Sequence, residues 1–384
     1  MRITVLGHCY VVSENRVKWK RFAKLFPETR VTLLAPRFFK TDRYGFQEYI
    51  IEPEKEGNYC LVPLRQTEWM RGLYLESGII LKESKPDIFV ITEEVGNWVT
   101  FQCLLWRKIW ASKVLALAHS NQNIRVALTK RYHIWRDKNI LHSVNAMFAE
   151  NEEAVRLLRA RGFTKPILIS LDSSVDEQVW HPDQAAGLIE RRRYGLQGFV
   201  IGYVGALREE KGIVDLVSAV SHLRGDWQLL LVGDGPLRPQ IETVARQLGV
   251  RNRLHLAGFV PRHKTPALYR CMDVLVLPSR TTPTCKEQFG VVLVEAMLSR
   301  VAVVGSSSGA IPEVIGKVGL LFPEGDRAAL GSCLQRLHDD SVLRKELAGQ
   351  GLKRALDKYC ATTAAKQAYS FFSDLLSEYR LRRR

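Results

Sequence analysis

Unbroken apolar runs recur along the chain at intervals that leave room for a helix. "RITVL", "RVTLL", "DIFVI", "SKVLALA" and "NAMFAE" mark the first half. "FVIGYVG", "WQLLLVG", "RLHLAG", "DVLVLPS", "VAVVG" and "GLLF" mark the second. The runs are continuous rather than alternating, as expected of strands buried on both faces of a parallel sheet. Between them apolar positions fall at helical spacing. "PLRPQIETVARQLG" has Pro236 at its start and Gly249 at its end, the usual punctuation of a helix. This repetition predicts an α/β fold of doubly wound parallel sheets with right-handed crossovers.

The rhythm breaks in "SLDSSVDEQVWHPDQAAGLIERRRYGLQG". The break predicts a first domain over residues 1–172, a linker over 173–198 and a second domain over 199–360, the two domains facing each other across a cleft. Residues 361–384 follow as a helix and a basic tail. Tyr369, Phe372, Leu375, Leu376 and Tyr379 share one face of that helix, which is expected to pack back on the first domain.

At 384 residues, two domains suit the length as well as the pattern. No apolar run reaches the roughly 18 residues of a membrane span. "MRITVLGHCYVV" is read as a first strand rather than a leader, because charged "SENRVKWKR" follows with no small-residue cleavage site. The seven cysteines form no C-x-x-C pair, which favours reduced thiols and a cytoplasmic setting over disulfides or zinc. The formal charge of +16 points to anionic partners. It is uneven: residues 101–150 hold eight Lys/Arg against two acids, residues 201–250 five against six.

"TCKEQFGVVLVEAM" raises the question of chemistry. Glu287 precedes an apolar helix and Glu295 lies within it. Carboxylates accept hydrogen bonds from sugar hydroxyls, and the helix start between them offers N–H groups to phosphate. A nucleotide sugar has this layout of sugar, diphosphate and ribose. The same spacing also fits Glu295 paired with an arginine and Glu287 as a solvated loop residue. Arg208 and Lys211 in "VGALREEKG" stand beside turns at Gly205 and Gly212, and "VGDGPL" (Gly233) and "LAGFV" (Gly258, Phe259) are further glycine turns.

Taken in order, "VGALREEKG", "LLLVGDGPL", "LHLAGFV", "DVLVLPS", "EQFGVVLVEAM" and "SSSGAIPEVI" resemble the family-4 glycosyltransferases of the GT-B fold, of the kind that build bacterial polysaccharide or glycolipid. The resemblance is strong over residues 199–326 and looser before them. It implies two Rossmann-like domains, a nucleotide-sugar donor (UDP-linked before GDP- or ADP-linked), retention of anomeric configuration, and no metal or cofactor. It implies that Glu287 binds donor-sugar hydroxyls, that the backbone of Phe289, Gly290 and Val291 meets sugar and phosphate, and that Glu295 holds the ribose. Lys211, with Arg208, would hold the diphosphate, and Gly258 and Phe259 would border the base. Ala206 stands where the family usually has an arginine. His119, at the end of "KVLALA", is the candidate to contact the reacting sugar. His8 is its rival and, with Asn121, the acceptor-side candidate; the turn at Gly7 would bring diphosphate and acceptor together.

Trp98, Phe101, Leu105, Trp106 and Trp110 lie among Arg107, Lys108 and Lys113, and "TKRYHIWRDKNI" repeats the mixture. Such segments suit the inner face of an anionic membrane; they suit equally core tryptophans beneath a solvated basic face. The expected acceptor is a glycan or a lipid-linked sugar. Two rival functions are a nucleotide-sugar epimerase on the same fold, which would act without acceptor, and a basic nucleic-acid-binding protein. No nucleic-acid module is present to support the latter.

Overall fold

The computed structural model describes residues 1–41, 47–65, 74, 76–124, 131–170 and 174–382. The chain divides into two compact units: Met1–Ser174 with Ala361–Arg384, and Val175–Cys360.

The first unit begins β1 (Arg2–Leu6), α1 (Val17–Leu25), β2 (Arg30–Pro36), the hairpin β3 (Phe38–Thr41) and β4 (Gln47–Ile50), β5 (Glu54–Glu56) and β6 (Tyr59–Leu64). It continues α2 (Glu76–Ser84), β7 (Ile88–Glu94), α3 (Trp98–Trp110), β8 (Leu115–Ser120), α4 (Arg131–Ser143), β9 (Ala146–Ala149), α5 (Glu152–Ala160) and β10 (Ile167–Ile169). The eight-stranded sheet runs β10-β9-β8-β7-β1-β2-β6-β5, parallel except for β5. Strand order reverses between β1 and β7, and such a reversal opens a crevice at the carboxyl ends of the two strands.

The second unit has α6 (Gln184–Tyr194), β11 (Phe199–Val204), α7 (Ile213–Val220), β12 (Trp227–Val232), α8 (Arg238–Gln247) and β13 (Leu254–Gly258). Then come α9 (Thr265–Arg270), β14 (Val274–Leu277), α10 (Val291–Leu298), β15 (Ala302–Ser306), α11 (Ile311–Ile315), β16 (Leu320–Phe322), α12 (Arg327–Asp339) and α13 (Ser341–Lys358). Its six strands are all parallel, ordered β13-β12-β11-β14-β15-β16, with the reversal between β11 and β14. Both halves are Rossmann-like, as the apolar runs predicted.

The last helix, α14 (Ala361–Leu381), belongs to the first unit. Phe372 is fully buried, 6.4 Å from the Trp19 ring and 5.9 Å from the Phe148 ring. Tyr369 stacks on Phe26 at 3.8 Å. The apolar stripe of the helix therefore completes the core around α1, as its spacing suggested. In the same core the Trp19 Nε1–H donates to the Tyr10 hydroxyl at 2.8 Å. Tyr10→Phe would leave that buried donor without its acceptor and is expected to cost about 1–3 kcal/mol, measurable as a lower urea midpoint.

One boundary needs correction. Residues 175–198, expected as a linker, are part of the second unit. Arg191 on α6 donates to the Cys271 carbonyl at 3.0 Å and pairs with Asp273 at 2.6 Å. Arg270 donates to the carbonyls of Val179 and His181, both at 2.8 Å. These bonds and the buried Trp180 tie the segment to α9. The expected boundary at residue 172 falls outside the described residues. Among the described residues no helix is long and apolar enough to cross a membrane, and none of the seven cysteines is in a disulfide.

Candidate active site

In the second unit the glycine turns after β11, β12 and β13 lie side by side. The Gly205 N–H donates to the Val232 carbonyl at 2.9 Å, and the Gly233 N–H to the Gly258 carbonyl at 2.8 Å. Gly233 has φ +134°, and a Cβ there would sit 1.9 Å from the Gly205 oxygen. Only glycine allows this approach. The turn after β11 is further held by Tyr203, whose hydroxyl donates to the Ala206 carbonyl at 2.8 Å. Burial first, then the charges of Glu287 and Glu210, push the Tyr203 phenol well above its ordinary range, so it stays a donor.

Lys211 and Glu287 meet at the β11/β14 reversal. Lys211 Nζ donates to Glu287 Oε2 at 2.7 Å, and Ser279 Oγ, just after β14, donates to the same oxygen at 2.7 Å. The side chains of Lys211 and Glu287 are 27% and 12% exposed, so the pair is partly open to a ligand. The Glu287 carbonyl accepts from the Ala310 N–H at 3.0 Å, which brings in the loop before α11. Residues from three separate motifs thus converge on Glu287, Lys211 and Ser279 on its carboxylate and Ala310 on its backbone carbonyl. Glu287 lies in the loop, not the helix, so the helix begins after it.

Gly290, at φ +84°, caps α10, and no side chain caps that helix start. The first N–H groups of such a helix have no acceptor within it. Val291 is half-buried there, and Phe289 is buried edge-on to Tyr359 at 5.4 Å. Arg208 is exposed, and Phe259, beyond Gly258, is 50% exposed.

Glu295 is placed differently from Glu287. It is 4% exposed, and both its oxygens are engaged. Arg262 reaches Oε1 through Nε at 3.0 Å and through its terminal nitrogen at 2.8 Å. The Tyr269 hydroxyl donates to Oε2 at 2.5 Å. Burial first, then the Glu295 charge, hold the Tyr269 phenol far above its ordinary value. The arginine-paired alternative describes Glu295, and the solvated-loop alternative does not describe Glu287.

The first unit carries a second cluster at its own strand reversal. Gly7 ends β1 against Thr92, whose Oγ1 a Cβ would approach to 1.9 Å. His8 follows, its N–H and Nδ1 both on Glu93 Oε1 at 2.8 and 2.7 Å, with Asn97 Nδ2 on Glu93 Oε2 at 3.2 Å. The Glu93 side chain is 3% exposed and that of His8 46%. The His8 ring stacks on Phe39 at 5.4 Å. Glu94 accepts from Ser120 Oγ at 2.7 Å and from the Asn121 N–H at 3.0 Å. His119 departs from expectation. Strand β8 runs on to Ser120, and the His119 ring is 5% exposed, its Nε2 3.5 Å from Glu150 Oε1. Of the two histidines, His8 is the one open to a ligand. Sequence reasoning missed Glu93 and Glu150, which end or follow strands and whose register no local motif announces. Among the described residues no three His, Cys, Asp or Glu side chains gather as metal ligands do.

Both units are thus Rossmann-like halves with polar clusters at their strand reversals, the fold found in GT-B glycosyltransferases. The solved structure of Anabaena HepE in complex with UDP aligns at TM-score 0.73 and 17% identity, covering 97% of this chain and 100% of that one. Residues 198–340 match the family described as "Glycosyl transferases group 1". The 2-deoxystreptamine glucosyltransferase of Streptomyces kanamyceticus is 34% identical over 214 residues, 52% of this chain and 54% of that protein. A GDP-mannose-dependent phosphatidylinositol monomannoside mannosyltransferase of Mycolicibacterium smegmatis is 28% identical over 267 residues, 66% of this chain and 68% of that protein. The chain spans about half the length of the first of these relatives. The relatives are glycosyltransferases, and the epimerase alternative finds no support among them.

Proposed function

We propose that the protein is a retaining, metal-independent glycosyltransferase that moves a hexosyl group from a nucleotide sugar, UDP-linked in the first instance, to a glycan or lipid-linked acceptor. The carrying observation is the meeting of Lys211, Ser279 and Glu287 beside the uncapped start of α10, within the stretch that matches the family. The second unit binds the donor. Glu287 accepts a sugar hydroxyl, and Lys211 turns to the diphosphate. The N–H groups from Gly290 and Val291 and the exposed Arg208 share that charge. Gly205 and Gly233 keep the floor flat, and Gly258 and Phe259 border the base. Glu295, already doubly bonded, would offer the ribose only the unused lone pairs of its carboxylate.

As the bond from the anomeric carbon to phosphate breaks, negative charge grows on the leaving diphosphate, where Lys211 and the helix start stabilise it. The acceptor hydroxyl attacks from the same face and its proton passes to the departing phosphate oxygen, which retains the anomer. The first unit binds the acceptor. Glu93, accepting at Nδ1, favours the Nδ1–H tautomer of the His8 ring, so that Nε2 can accept from a hydroxyl. Asn121 and Gly7 lie on the same strand-end edge, just past β8 and β1, the two strands that flank β7 in the sheet. The site works on the cytoplasmic side of the cell, where nucleotide sugars are made.

The test is product NMR with the accepted donor and acceptor, with and without EDTA. An α-linked product from an α-linked donor, formed equally in EDTA, is expected. An inverted product or a chelator-silenced enzyme refutes the mechanism.

A further inference from the structure

The aromatic and basic segment noted in the sequence is sorted by the structure into two sets. Trp106 turns inward, against Gly78 of α2. Arg107 is half-buried, its Nε donating to the Val114 carbonyl at 2.8 Å. Trp98, Leu105, Ile109 and Trp110 of α3 are exposed, and so are Tyr132 and Trp135 of α4. The two helices are joined by ring contacts. Trp98 stacks with Tyr132 at 6.5 Å, and Phe101 meets Trp135 at 5.3 Å. The exposed side chains therefore form one continuous face rather than scattered singletons, and contiguous apolar exposure of this kind marks an interaction site.

Charge decides what the face fits. The only acid on α3 and α4 is Asp137, which is buried and paired with Arg136 at 2.8 Å. Lys108, Arg131 and Lys138 on these helices, and Lys113 just after α3, are exposed. The face thus presents cations and aromatic rings together with no exposed acid of its own. A dry protein interface is depleted in lysine. A single-stranded nucleic acid would use the rings but gains nothing from Leu105 and Ile109. A bilayer surface uses all three: rings at headgroup level, aliphatic tips at the acyl boundary, and lysines on lipid phosphate.

We propose that the α3–α4 face is a docking surface for an anionic lipid bilayer. The proposal stands apart from the transfer reaction, because binding is read without donor or acceptor.

The test is co-sedimentation of the full chain with vesicles of phosphatidylcholine, with and without phosphatidylglycerol. Binding only to the anionic vesicles is expected, weakening as salt rises. Lys108→Glu with Lys138→Glu should lower the partition coefficient by at least about fivefold for each lysine lost. Ile109→Ser with Trp135→Ser should lower it by about tenfold or more. Both pairs are on exposed positions, and an unchanged melting temperature confirms that they fold. Brominated lipid should quench tryptophan emission in the native chain and less in the Trp135→Ser variant. No binding to anionic vesicles overturns the proposal. So does equal binding to neutral ones, or full binding by both double variants. A face that instead drives self-association in gel filtration, or retains an oligonucleotide but no vesicle, overturns it as well.

Discussion

Lys211→Met is expected to lower kcat by about 100- to 1000-fold, the loss that follows removal of one group aimed at developing charge. The change keeps the length of the side chain and removes only its cation. In the resting site that cation lies 2.7 Å from Glu287. Donor binding requires it to exchange one anion for another, so it meets the diphosphate most strongly when the leaving group carries its full charge. The effect should therefore fall on kcat more than on KM. Glu287 keeps its bond from Ser279, and the Lys211 side chain is partly exposed, so folding should be little affected. Unchanged kcat in a folded Lys211→Met variant would remove lysine from the mechanism.

Glu295→Ala is expected to destabilise the second unit by about 3 kcal/mol, the low end of the cost of breaking a buried pair. The low end applies because the Arg262 side chain remains 27% exposed and water can solvate it. Tyr269 has no such relief: it is fully buried and its hydroxyl would lose its acceptor. Tyr269→Phe should cost less, about 1–2 kcal/mol, because no charge is stranded. Since the folded pKa of Tyr269 is raised, its contribution is complete below the unfolded value of about 10 and is lost as pH climbs from there toward the folded value. Denaturant titration of the two variants separates the readings of Glu295. A carboxylate serving only a ribose would leave the unfolding midpoint unmoved and weaken donor affinity alone.

The second unit was the more legible half. All six of its strands lie in largely apolar runs with a glycine or proline at or beside the end, and each appears in the structure within a residue or two. The first unit hid three of the eight strands of its sheet, β5, β6 and β10. β6 contains Pro63, which argues against a strand. The ladder explains the exception: β5 pairs only with Tyr59, Cys60 and Leu61, so Pro63 faces no partner that needs its missing N–H. β5 is three polar or charged residues, and β10, in the run "PILIS", is three residues. Neither is long enough to show a period. The C-terminal helix is legible because five large apolar residues repeat on one face, and such a stripe must be buried somewhere.

The site was legible where backbone chemistry set the sequence. Gly233 and Gly290 are recognisable because their conformations exclude other residues, and Lys211 and Glu287 follow from the motifs around them. What escaped was long-range pairing. Arg262 lies 33 residues before Glu295, and Glu93 lies 85 residues after His8. Only the strand order brings either pair together. His119 shows the converse error: a strand that runs one residue further buries a side chain that local pattern would have exposed.

The central claim is that the second unit grips a nucleotide sugar through Lys211, Glu287 and the start of α10. It is tested most directly by thermal unfolding of the native chain and of Lys211→Met in the presence of UDP-, GDP- and ADP-linked sugars. A donor present at 100 times its dissociation constant should stabilise the native chain by about 2.7 kcal/mol, with UDP sugars first and the variant unresponsive at the same concentration. No stabilisation by any nucleotide sugar, or an equal response from the variant, would contradict the account.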